Sequence, residues 1–160
     1  MENGCNEGTR YSYDVTGRLT EARNAAATVH RMYDALGRIK MESTTLTLPN
    51  IPHVTNTTRY NYNDANRNTV VTYPSGAVVR YEYDPRGRIH TVGYKTSDAV
   101  TGYTTVASYA STMDDRVERL TYGNGVTTHY NRNGEGRLRS LVADAGGEVP
   151  GGTCCCSRSI

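Results

Sequence analysis

One phrase recurs through this chain at a spacing too regular for accident. "YSYDVTGRL" at residues 11–19 returns almost unchanged as "YEYDPRGRI" at residues 81–89. With the degenerate copies aligned, its first position falls at Tyr11, Arg31, Tyr60, Tyr81, Tyr109 and Tyr130, at intervals of 20, 29, 21, 28 and 21 residues. Short and long intervals alternate, so the larger unit is 49 or 50 residues. A chain written this way does not fold around one central core; each small unit buries its face against the next.

The variation between copies says what the phrase is for. The second tyrosine position holds Tyr13, Tyr33, Tyr62 and Tyr83 in the first four copies. The next position holds Asp14, Asp34, Asn63, Asp84, Thr112 and Asn133, all short side chains whose oxygen can accept a hydrogen bond from backbone two residues on. Three residues further come Gly17, Gly37, Asn66, Gly87, Asp115 and Gly136, the residue types that best tolerate positive φ. Substitution follows turn chemistry.

The following position is arginine in all six copies: Arg18, Arg38, Arg67, Arg88, Arg116 and Arg137. A planar guanidinium can stack on a tyrosine face while donating to turn carbonyls or to the aspartate position, and lysine does the two jobs less well. Arginine is therefore expected to staple adjacent turns. Leu19, Ile39, Asn68, Ile89, Val117 and Leu138 come next and open the following strand.

Composition agrees with strands. Leu, Ile and Val number 7, 4 and 14 of 160 residues, and Phe and Trp are absent, so the 13 tyrosines carry much of the apolar burial. Short Val/Thr/Tyr runs between Gly, Asn, Asp and Pro recur, and no sustained 3.6-residue stripe is found. The expected fold class is all-β: tandem β-hairpins of about 21 residues stacked into a spiralling, solenoid-like sheet. "TYPSGAVVRY" (72–81) and "TYGNGVTTHY" (121–130) predict a Gly-containing hairpin tip in the short intervals, whereas "ARNAAATVHR" lacks the glycine and leaves its turn open. "LTLPNIPH" and "TSDAVTGY" are the excess of the long intervals, read as loops or a longer hairpin. Period-2 alternation puts the two tyrosines of each phrase on one face, opposite a polar ladder of Arg10, His30, Arg59, Arg80, Ser108 and His129. The expected organisation is a lead-in over residues 1–10, six repeats over 11–141 and a Gly/Cys-rich disordered tail over 142–160.

Other classes find little support. His30, His53, His90 and His129 have no nucleophile or carboxylate at a recognisable spacing, so no catalytic residue is assigned and the chain is not read as an enzyme. Cys5 stands alone and Cys154, Cys155 and Cys156 are consecutive, a poor arrangement for converging on a metal; no metal or cofactor is expected. A net charge of +2 with evenly spread arginines gives little drive toward nucleic acid. There is no apolar run of membrane-spanning length, and the first ten residues do not read as a signal peptide.

Residues 11–138 resemble tandem YD repeats, the unit of Rhs proteins, of the shell components of bacterial Tc toxins and of animal teneurins. The resemblance implies a strip of hollow β-shell wall, further YD repeats in a longer parent chain, secretion or display at the cell surface, and a C-terminal toxin domain enclosed or presented by the shell. The alternative it implies is a carbohydrate-binding or adhesive surface module without a toxin. The site residues carried over are structural: the Tyr, Asp, Gly and Arg positions of the motif. After Leu141 the sequence leaves the family pattern, which points to a fragment, a truncated frame or a tail read out of frame.

Overall fold

The structure, a computed structural model, describes residues 8–47, 49, 52–145 and, as backbone, 156–159. The described residues are strands and turns with no helix, and no helix long and apolar enough to cross a membrane is found among them. The chain divides into two compact units, residues 1–77 and 78–160.

In the first unit lie β1 (Arg10–Tyr13), β2 (Leu19–Arg23), β3 (Ala27–Tyr33), β4 (Ile39–Leu46), β5 (Val54–Tyr62) and β6 (Asn68–Thr72). Each pairs antiparallel with the next in sequence. The second unit repeats the plan with β7 (Val78–Tyr83), β8 (Ile89–Lys95), β9 (Thr104–Ser111), β10 (Val117–Tyr122), β11 (Val126–Arg132), β12 (Leu138–Ala145) and β13 (Cys156–Ser159). Every connection is therefore local, which is what a tandem phrase imposes.

The phrase itself is the turn. In all six copies the backbone N–H at the aspartate position donates to the carbonyl of the arginine, and the N–H at the glycine position donates back, as in Asp14 to Arg18 at 2.9 Å and Gly17 to Asp14 at 3.0 Å. The pattern is a type I turn closed by a residue in the left-handed region, with a register shift beside it in each hairpin. All six residues there have positive φ, from 61° at Asn66 to 84° at Gly87.

The opposite tips follow the same logic where glycine is present: Gly76 and Gly125 lie at φ 84° and 87°. The tip without glycine is shorter, with Asn24 N–H donating to the Ala27 carbonyl and Asn24 Oδ1 accepting from the N–H groups of Ala26 and Ala27. The long intervals are the loops after β4 and β8. In the second, Gly102 takes φ 85° and brings Tyr103 back over Gly93, where a Cβ would lie 3.0 Å from the Tyr103 Cβ.

β12 runs to Ala145, and Cys156–Ser159 pair with Ser140–Ala143 as β13. The run "LVADA" continues the strand beyond the last motif. Most of the lead-in and the thiols of Cys5, Cys154, Cys155 and Cys156 lie outside what the structure describes. The core is thin: Val71, Val78, Ala107 and Leu120 are the buried hydrophobic residues among those described.

Candidate functional site

The arginine and aspartate of each motif form one device at the turns. Asp14 Oδ1 accepts the N–H groups of Thr16 and Arg18 at 2.9 and 3.0 Å, and Oδ2 accepts Arg18 Nε at 2.6 Å. Asp34 and Asp84 do the same, each holding its own arginine N–H at 2.9 Å and Nε at 2.6 Å. Where the position is Asn63 or Asn133, the side-chain oxygen keeps the backbone bonds. Thr112 keeps a weaker one, to the N–H of Arg116 at 3.3 Å.

These contacts hold the carboxylates ionised. The Arg18 backbone N–H, with the Thr16 hydroxyl, sets Asp14 far below the usual carboxylate range. At Asp34 burial opposes the charge but is outweighed by the Arg38 N–H and guanidinium. At Asp84 the Arg88 N–H is the largest influence, again downward against burial.

The rest of each guanidinium reaches the next copy. Arg18 lies over the Tyr33 ring at 4.8 Å and Arg38 over Tyr62 at 4.6 Å. The same tyrosines return a hydrogen bond, Tyr33 Oη to the Leu19 carbonyl and Tyr62 Oη to the Ile39 carbonyl, both at 2.7 Å. Arg38 Nη1 donates to the Asn63 carbonyl at 3.1 Å, and Arg88 Nη1 to the Thr112 carbonyl at 2.8 Å. Arg116 Nη1 donates to the Gly136 carbonyl.

Not every motif residue is joined in this way. Tyr11 and Tyr13 are 58% and 60% exposed, while Tyr33, Tyr60, Tyr62, Tyr81, Tyr83, Tyr109 and Tyr130 are half-buried. The Arg137 guanidinium pairs with Glu135 at 3.2 Å, and its side chain is 81% exposed. Arg67 sits in the third turn with its N–H on Asn63. Gly17, Gly37, Gly87 and Gly136 hold the left-handed positions.

Three features were not read from the sequence. Asn66 Oδ1 accepts Arg38 Nη1 at 2.9 Å and Asp115 Oδ1 accepts Arg88 Nη1 at 2.8 Å, so the two residues that replace glycine add an anchor for the preceding arginine. Arg31, at a tyrosine position, donates through Nε to Glu42 at 2.7 Å directly across β3 and β4. The signal was present: the residue opposite the first position is Ala22, Val71, Val92, Leu120 or Leu141 in the other copies and changes to Glu42 only with Arg31. The third is Tyr103, flanked by Lys95 Nζ at 5.1 Å and the Arg80 guanidinium at 5.6 Å.

Stacked hairpins, with successive turns of the first unit fastened by arginine and tyrosine, define a YD-repeat shell-type structural protein. The Teneurin YD-shell family model matches residues 5–94, and the chain belongs to that family. Among solved structures the fold is similar to the crystal structures of TcdB2-TccC3 and TcdB2-TccC3-Cdc42, each at 15% identity and TM-score 0.74, covering 84% of this chain and 8% of that one. A Photorhabdus luminescens Tc holotoxin pore with a TccC3 variant matches at 14% identity and TM-score 0.74 over 86% of this chain and 8% of that chain. The chain thus corresponds to a small part of the length of those it matches. No curated protein matches it.

Proposed function

We propose that this chain is wall: a structural segment of a YD-repeat shell whose parent encloses or presents a C-terminal toxin domain outside the producing cell. The observation that carries it is the staple, in which arginine, tyrosine hydroxyl and turn carbonyl of successive copies complete one another. Residues placed this way hold a sheet together, and folding and stacking account for the motif positions that are joined. The similarity to Tc complexes supports the enclosed partner at the level of fold.

Sequencing the DNA on both sides of the reading frame tests the proposal. YD repeats and an aspartate-bearing cleavage core on the downstream side are expected. Stops bounding the frame with no repeats outside it would overturn containment and leave a self-contained repeat module.

A further inference from the structure

The second unit breaks the rule that holds in the first. There the arginine of one turn lies under the second tyrosine of the next copy, and that hydroxyl donates to the carbonyl following the arginine. Carried to the fifth and sixth copies, the rule places a ring at position 132, over Arg116, with its hydroxyl on the Val117 carbonyl. Position 132 is instead an exposed arginine. Among the described residues no side-chain hydroxyl reaches the Val117 carbonyl.

A cleft of about 390 Å³ lies at this place, lined by Thr112, Asp114, Arg116, Arg132 and Gly136 among others. Arg116 is already held at its rim, Nε to Asp114 Oδ2 at 3.0 Å and Nη1 to the Gly136 carbonyl. Guanidinium N–H groups lie in the plane of the group, so these contacts leave its face free to stack. Gly136 makes room for the Arg116 guanidinium, since a Cβ there would run into it. A cation face beside a carbonyl acceptor is what Tyr33 and Tyr62 satisfy elsewhere, and its complement is an aromatic ring bearing a hydroxyl.

We propose that the cleft between the fifth and sixth turns binds a phenol ring, stacked on Arg116 and donating its hydroxyl to the Val117 carbonyl. The ring comes either from a free phenolic compound or from a tyrosine side chain of a partner protein.

Titration of the full chain with 4-methylphenol, followed by amide NMR, tests this. Saturable shifts at Arg116, Val117 and Gly136 are expected, with toluene binding about tenfold more weakly for want of the hydroxyl. Arg132→Tyr supplies the ring in cis and should abolish the binding while raising the melting temperature. Arg116→Gln, which keeps an amide at the rim but loses the cation, should abolish it without that rise. Binding of N-acetyltyrosinamide as tightly as 4-methylphenol assigns a protein tyrosine, and binding of 4-methylphenol alone assigns a free phenol. Non-saturable shifts, or equal binding by wild type and Arg116→Gln, overturn the proposal.

Discussion

At the scale of single residues, conformation matters more than contact. Gly87 lies at φ 84° inside a turn, whereas His53 is exposed outside the strands. A β-branched side chain in the left-handed region is strained by about 2 kcal/mol, so Gly87→Val should lower the thermal midpoint clearly and His53→Ala should leave it unchanged. Equal midpoints would refute the turn's importance. Asn66, at φ 61°, is the instructive exception, because its carboxamide returns a bond to Arg38. Asn66→Gly relieves the backbone but loses that bond, and urea unfolding should find the two within about 0.5 kcal/mol of each other.

Acid acts on the same residues. Asp14, Asp34 and Asp84 have folded pKa values below their unfolded ones, so the stability they contribute is present above the ordinary carboxylate pKa of about 3.9 and is lost as pH falls through the depressed folded values. The melting temperature should be level from neutral pH to about 5 and fall steeply below about 4. Asp84→Asn keeps the acceptor for backbone and removes the titrating group; calorimetry across that range should show a shallower acid limb.

At the scale of the hairpin, the staple explains why arginine serves better than lysine where a next turn is reached. Arg38 combines its bond to Asp34, two bonds in the next turn and the face of Tyr62. Lysine has one point of charge, so Arg38→Lys should cost roughly 1–2 kcal/mol in chemical unfolding, against nearly nothing for the exposed Arg137→Lys. Turn chemistry was legible in the sequence because it depends on residues within five positions of one another: Asp84, Gly87 and Arg88 announce their bonds by type and order. The partner of the staple was only half legible. Which tyrosine Arg18 stacks on depends on where Tyr33 arrives two strands later, and that rests on pairing registers. Arg31 and Glu42 were hidden for the same reason, being neighbours only across the hairpin.

At the scale of the molecule, four buried hydrophobic residues are found among those described, so stability comes from many modest neighbour contacts. The distinction is visible in Val78, 1% exposed, against Val15, fully exposed in its turn. The long loop that brings Tyr103 over Gly93 shows why the polar face was harder to read than the tyrosine face: alternation assigns a side to strand residues and says nothing about a loop folding back over them. The same thinness makes the edge consequential. Among the described residues β1 pairs with β2 alone, and it offers Tyr11 and Tyr13, both more than half exposed, beside a row of backbone groups that no described strand pairs. An edge of that kind recruits another strand, whereas a lysine on it opposes pairing through its charge and hydration. Tyr11→Lys leaves the Ala22 pairing position intact and should shift the sedimentation of the chain toward monomer at concentrations where the wild type self-associates. The effect should weaken in high salt, since the added charge is exposed and screened. Unchanged association would place the contact away from β1.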